Sequence, residues 1–159
     1  MSDTITLPVT GKLTIKQYNA DGVLVDERNI NNKVVTTGIN WIRDRVLGNG
    51  TIGGATGIMN YMAVGYGGAT GTATAVAGDQ WLGAESARVG ATGTSAGLGN
   101  GEFKYTATFP AGTGSTGITE AGIFGGATGT MLARTTFSVI NKGALDTLTI
   151  NWTITIGQS

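Results

Sequence analysis

The sequence predicts a mainly β protein, an antiparallel, jelly-roll-like β-sandwich with one short α-helix near residues 36–48. Residues 147–156 alternate strictly between apolar residues and Thr or Asn, which is typical of a half-buried strand. Glycine and threonine together supply 28 and 26 of the 159 residues, and threonine favours strands while glycine favours turns. Only one segment has helical spacing of its apolar residues. Many strands with one helix indicate a sandwich formed by a single domain spanning residues 1–159.

The N-terminal region predicts a hairpin over residues 11–28. Its arms are GKLTIKQY and VLVDER, and Asn19 to Gly22 form the turn, because Asn and Asp initiate turns and Gly accepts a positive φ. Residues 4–9 fit either a short strand or an arm that ends at Pro8. Residues 1–10 are therefore a candidate extended N-terminal arm.

The helix is predicted from Ile39, Ile42 and Val46, which recur at helical spacing. Thr36 or Thr37 can cap its start, and the glycines at 48 and 50 end it. We expect the three apolar residues to form its buried stripe.

The remaining chain divides into strands and glycine-rich loops. Residues 67–80 and 90–101 are predicted loops, and residues 79–89 fit either a short helix or an extended segment. Alternating or apolar runs predict strands at 59–66, 102–109, 118–124, 131–139 and 147–156.

Composition argues against several classes of function. The chain has neither His nor Cys, so the commonest general base and the usual soft metal ligands are missing, and we expect no cofactor and no catalytic residues. Ten basic residues balance ten acidic ones, which argues against nucleic-acid binding. No apolar run approaches the roughly 20 residues of a membrane span, and no signal peptide is recognisable. We predict no metal site, although a weak calcium site on loop oxygens stays open.

Glycine-rich motifs do not predict a nucleotide site. Two stretches, 48–53 and 112–117, match G-x-G-x-x-G, a motif that needs a strand before it and a helix after it. The first follows the predicted helix and the second precedes a predicted strand. We therefore interpret both as loop sequence.

Charged and aromatic residues supply candidates for structural roles. Glu120 and Arg134 lie on strands that we expect to pair, so we predict an ion pair across the hairpin rather than a glycosidase acid. Trp152 lies on the apolar side of an alternating strand and Trp41 lies beside the helical stripe, so both are predicted core residues. Trp81 has few apolar neighbours in sequence, which makes it a candidate interface anchor.

Three phrases, in order along residues 34–156, resemble a family of small virion proteins of tailed bacteriophages and prophages. The phrases are VVTTG with NWIRDR (34–45), MAVG (62–65) with DQWLGAE (79–85) and Arg88, and ITEAGIF (118–124) with MLAR (131–134), Phe137, NKG (141–143), DTLTI (146–150) and Trp152.

The resemblance implies a structural protein located on the virion capsid surface and made in the bacterial host cytoplasm. It implies a capsid decoration, or cement, protein that forms a homotrimer and binds the major capsid protein, with no nucleic-acid or membrane partner. The first alternative is a tail, neck or fibre-attachment protein, and the second is a carbohydrate-binding adsorption module. The candidate partner-interface residues are Ile5, Leu7, Pro8, Val9, Tyr66 and Trp81.

Overall fold

Two antiparallel five-stranded sheets pack against each other in a computed structural model, which describes residues 8–46, 58–67, 74–115, 117–127 and 129–157. The predicted β-sandwich with one short helix is confirmed. In chain order the elements are β1 (Val9–Tyr18), β2 (Leu24–Asn31), β3 (Lys33–Val34), α1 (Thr36–Val46), β4 (Tyr61–Gly65), β5 (Glu85–Gly90), β6 (Thr92–Thr94), β7 (Glu102–Phe109), β8 (Gly117–Phe124), β9 (Met131–Asn141) and β10 (Thr147–Ile156).

The first sheet has the strand order β2-β1-β10-β7-β6. Its central strand β10 pairs Trp152 with Leu13 of β1 on one side and with Tyr105 of β7 on the other. The strict alternation of β10 places its apolar residues in the core, and Trp152 has no exposed surface.

The second sheet has the strand order β3-β9-β8-β4-β5 and supplies the other half of the core. Side chains from both sheets, including the aromatic and branched residues of β7 and β10, form one apolar cluster. Its buried members are Leu13, Ile15, Met59, Met62, Val64, Tyr105, Ala107, Phe109, Ile118, Ala121, Ile123, Leu132, Ala133, Ile140, Leu148, Ile150, Trp152 and Ile154.

At each lateral edge of the sandwich, a chain segment passes directly from one sheet to the other. Only Asn32 separates β2 from β3, and only Ala91 separates β5 from β6. The backbone N–H of Asn32 donates to the Gly11 carbonyl at 3.1 Å, and that of Ala91 donates to the Asn60 carbonyl at 2.8 Å. These corners connect the two sheets covalently at both sides.

The helix α1 lies on β9 through an unexpected face. A Cβ at Gly38 would overlap the Leu132 carbonyl oxygen, so only glycine permits this approach. Trp41 and Ile42, three and four residues later, pack against the core. The predicted stripe is therefore wrong in part, because Ile39 and Val46 are exposed.

The start of α1 differs from the predicted cap. The Val35 carbonyl accepts the N–H of Ile39 at 3.0 Å, so Val35 holds the N-cap position, and Thr36 and Thr37 are already helical. The Thr37 hydroxyl donates to the Met131 carbonyl of β9 at 2.9 Å. The predicted stop at residues 47–50 lies outside the described residues.

Several predicted boundaries shift in the structure. Strand β1 begins at Val9, which pairs with Ile156, so residues 9 and 10 belong to the sheet rather than to an extended arm. Strand β2 continues to Asn31, and the short edge strands β3 and β6 were not predicted. Within residues 79–89 the second half is extended and forms β5.

The predicted turn of the first hairpin is present. The Asn19 side-chain Oδ1 accepts hydrogen bonds from the N–H groups of Asp21 and Val23, and Gly22 adopts a φ of 75°. The local sequence alone therefore determines this turn.

Candidate partner-binding surface

The outer face of the second sheet carries a second apolar cluster beneath a covering segment. Residues 74–84 form this segment without helix or strand, and Leu82 from it is buried. The cluster consists of Val35, Ala63, Leu82, Phe124 and Met131, with Tyr61 packed against it. The covering segment thus packs against the second sheet and is not a loop that extends away from it.

Arg134 of β9 forms the centre of a buried ion cluster below this segment. Its Nε and Nη2 donate to Glu120 Oε2 at 2.9 and 2.6 Å, and its Nη1 donates to Asp79 Oδ2 at 2.7 Å. Glu120 has no exposed surface and Arg134 is buried. In the strand register Arg134 lies opposite Gly122, so it reaches Glu120 diagonally, two positions along β8.

The charge of Arg134 is favoured by its surroundings. Burial alone would lower the pKa of Arg134, but the hydrogen bonds and negative charges of Asp79 and Glu120 outweigh burial and raise it. The guanidinium therefore stays cationic, and each carboxylate keeps a charged partner in a site of low water access.

The same carboxylates hold the backbone of the covering segment. Glu120 Oε1 accepts the N–H of Ala84 at 3.1 Å, and Asp79 Oδ2 accepts the N–H of Val76 at 2.9 Å. The Tyr66 N–H donates to the Ala84 carbonyl at 3.0 Å. Residues 76–84 of the covering segment are thus held near both ends, and we call this part of it the Trp81 loop.

A second arginine supports the strand that follows the Trp81 loop. The Arg88 guanidinium carbon lies 3.8 Å from the centre of the Phe124 ring. Its Nε and Nη2 donate to the two oxygens of Glu85 at 2.9 and 2.6 Å, and Nη1 donates to the Gly126 carbonyl at 3.1 Å. Arg88 therefore connects β5 to the turn between β8 and β9.

Two aromatic side chains point outward from this held backbone. Trp81 is 58% exposed and Tyr66 is 43% exposed, and the hydrogen bond from Tyr66 to Ala84 keeps their backbone segments adjacent. An exposed indole on a fixed loop offers a large contact area at low entropic cost. We define Tyr66 and Trp81 as the aromatic pair.

The other predicted interface residues lie elsewhere. Val9 is the first residue of β1 and packs against the core, and the carbonyl of Pro8, directly before the strand, accepts the Gly157 N–H at 3.1 Å. Ile5 and Leu7 lie outside the described residues. The structure therefore places the backbone of Tyr66 beside the end of the Trp81 loop, at Ala84, and places Pro8 and Val9 at the other sheet.

Sequence reasoning missed Asp79 as the third member of the ion cluster. Its only sequence signal was its place directly before Gln80 and Trp81, at the start of a resemblance phrase. Glu120, the carboxylate weighed as a glycosidase acid, is fully buried, with both oxygens accepting hydrogen bonds. Across the described residues, no three His, Cys, Asp or Glu side chains are grouped to hold a metal ion.

An apolar groove of about 450 Å³ opens at one end of the sandwich. Trp41, Phe103 and Tyr105 line it together with the hydroxyl-bearing residues Thr94 and Ser95. The Arg45 guanidinium lies 5.3 Å from the centre of the Trp41 ring at its margin. Within the described residues, this groove is a further surface on which aromatic residues gather.

Neither sequence nor structure comparison assigns this chain to a family. No protein-family model, curated protein or solved structure matches it. In the part of the chain that the structure describes, no helix is long and apolar enough to cross a membrane. Function is therefore inferred from the residues and their arrangement.

Proposed function

We propose that this chain is a structural protein of a tailed-bacteriophage virion, and within that class a capsid decoration protein. In this role it binds the assembled shell and forms contacts between neighbouring subunits. A ligand that binds only the assembled state stabilises that state by mass action, and no chemical step is needed.

One observation carries this proposal: residues from all three resemblance phrases meet at the Trp81 loop. The second phrase supplies Asp79, and the third supplies Glu120 and Arg134. The first phrase contributes Thr36, whose N–H donates to the Ala77 carbonyl of the loop at 2.7 Å. The parts of the sequence that resemble phage virion proteins thus build the support on which Trp81 is presented.

The aromatic pair is the proposed contact with the major capsid protein. A fixed loop loses little freedom on binding, so the burial of Trp81 can contribute most of its favourable free energy. Repetition of this contact in a homotrimer, the oligomer that the resemblance implies, adds avidity without further contacts. The balanced charge supports a protein partner rather than a nucleic acid or a membrane.

We predict that Trp81→Ala binds decoration-free shells at least tenfold more weakly than the unmodified protein, because truncating an interface tryptophan costs about 2 kcal/mol or more. The measurement is co-sedimentation with purified shells over a range of protein concentrations. Leu145→Ala is the matched control, since Leu145 is an exposed apolar residue outside the Trp81 loop. Equal losses for both variants, or no loss for Trp81→Ala, would remove the aromatic pair from the proposed contact.

Two other roles remain as alternatives. A tail, neck or fibre-attachment protein would share this fold but occur in few copies per particle. A carbohydrate-binding adsorption module is favoured by the groove, because Trp41, Phe103 and Tyr105 could stack on sugar rings beside two hydroxyl groups. Binding of soluble host glycans that is lost in Phe103→Ala would favour that second alternative.

A further inference from the structure

Within the described residues no strand pairs with β2 on one of its sides, although the carbonyl of its last residue, Asn31, accepts a hydrogen bond from the Thr135 hydroxyl. The strand β2 is the outermost strand of its sheet and pairs there only with β1. The apolar residues Val23, Leu24 and Val25 at its start are exposed. An edge strand of this length is a template for pairing with another strand.

The charges of β2 alternate between its two faces. Asp26 and Arg28 lie on the face toward the other sheet, where Arg28 Nη2 donates to the Val139 carbonyl at 3.0 Å. Glu27 lies on the opposite face, 3.6 Å from Lys16 of β1, and Asn29 beside it accepts a hydrogen bond from Thr14. These charges oppose pairing with most strands, which is how edge strands are commonly protected.

One symmetric register turns this protection into complementarity. In an antiparallel pair, two residues directly opposite each other both direct their backbone N–H and C=O groups toward the partner strand, or both direct them away. Two identical strands meet this condition only when the two-fold axis passes between two copies of the same residue, so two copies of β2 must pair about such an axis. An axis at Glu27 places Asp26 opposite Arg28 of the second copy, in both directions. An axis at Arg28 would oppose two arginines and leave both Asp26 side chains opposite Ile30. The axis at Glu27 also opposes two like charges, the two Glu27 carboxylates, but it gains two Asp26–Arg28 pairs in return.

We propose that two copies of this chain pair through β2, antiparallel and centred on Glu27, so that their two sheets continue into one ten-stranded sheet. The four charges of Asp26 and Arg28 then form an alternating square. The two central Glu27 carboxylates are each flanked by the Lys16 of their own chain. Val25 lies opposite Asn29 at each end. Because this contact is two-fold, it would join chains of two different homotrimers rather than chains of one. It needs no shell protein, so its failure would leave the proposed virion role untouched.

The first test uses the absence of cysteine from the chain. With the axis at Glu27, Glu27→Cys places two Cα atoms about 5 Å apart, within the range that a disulfide spans. We expect this variant to form a covalent dimer under mild oxidation. Asn29→Cys is the control, because its two copies would lie about 14 Å apart along the strands. Equal cross-linking of both variants, or of neither, overturns the register.

The second test exchanges charges and reads mass by sedimentation equilibrium. We expect Asp26→Arg and Arg28→Asp each to weaken dimerisation about tenfold, since each opposes like charges twice in the dimer. A mixture of the two variants restores every opposite-charge pair and should form heterodimers as tight as the unmodified dimer. Pairing through β2 would be contradicted by a monomeric unmodified chain, by a trimer in which Glu27→Cys does not cross-link, or by a mixture no tighter than its components.

Discussion

Arg134 is the residue on which the Trp81 loop depends most directly. It carries the charge that two carboxylates share, and those carboxylates in turn accept the backbone N–H groups of Val76 and Ala84. Removing one member of a buried ion cluster leaves the others without a charged partner. The stability lost when one member is removed is therefore larger than the net stability that the intact ion pair contributes.

We predict that Arg134→Ala lowers the free energy of unfolding by about 3–5 kcal/mol, because Glu120 then stays buried without its cation. Urea denaturation followed by tryptophan fluorescence measures this change. Lys16→Ala is the control, since the Lys16–Glu27 pair is partly exposed and should contribute less than about 1 kcal/mol. If both variants lost a similar amount of unfolding free energy, the Arg134 ion cluster would contribute no more to stability than an exposed ion pair.

Tyr105 makes the stability of the protein sensitive to alkaline pH. Burial raises the pKa of Tyr105 from 10.0 to about 12, because the phenolate is disfavoured in the core. A folded-state pKa above the unfolded value means that the stabilisation is complete below the unfolded pKa and is lost as pH rises through the folded pKa.

We therefore predict that ionisation of Tyr105 alone lowers the free energy of unfolding by about 2 kcal/mol between pH 10 and about pH 12. The measurement is the free energy of unfolding of the unmodified protein and of Tyr105→Phe across this range. As pH rises, the free energy of unfolding should fall further for the unmodified protein than for Tyr105→Phe. Parallel curves would show that the phenol does not titrate differently in the folded state.

At the scale of elements, the sequence predicts the long strands well and the short ones poorly. The bounds of β7 and β10 agree with prediction because both alternate through their whole length. The two-residue β3 and three-residue β6 exist because Asn32 and Ala91 direct the chain onto the other sheet. A segment of that length has no periodicity from which it could be recognised.

The helix shows how tertiary contact overrides a local pattern. Ile39 and Val46 continue the apolar stripe in sequence, yet the contact of Gly38 with β9 rotates them toward solvent. Glycine is a poor helix former, so its presence in α1 reflects the close approach of the β9 backbone.

We predict that Gly38→Ala destabilises the protein by about 1–3 kcal/mol, although alanine favours helix by about 1 kcal/mol, because the added Cβ meets backbone that must move. Thermal and urea unfolding measure this change. Gly90→Ala is the control, since no atom lies within 4 Å of a Cβ added there. A more stable Gly38→Ala protein would contradict the placement of α1 against β9.

At the scale of the whole molecule, the residues of the candidate site that lie on neighbouring strands could be predicted from the sequence, and those that meet only because the Trp81 loop folds over the second sheet could not. Glu120 and Arg134 were recognisable because their strands flank a short glycine-rich turn. The exposure of Trp81 followed from its polar and small neighbours, although Leu82 beside it is buried. Asp79 joins the cluster only because the loop folds over the second sheet, and such a contact between distant segments leaves no local pattern.

The proposed virion role is tested most directly by counting copies of this chain in purified phage particles produced by the cells that carry its gene. Quantitative mass spectrometry gives the ratio to the major capsid protein. A decoration protein should be present at about one copy, or about one third of a copy, per capsid subunit. A handful of copies per particle would contradict the decoration role in favour of a tail or neck position, and absence from particles would contradict a virion role altogether.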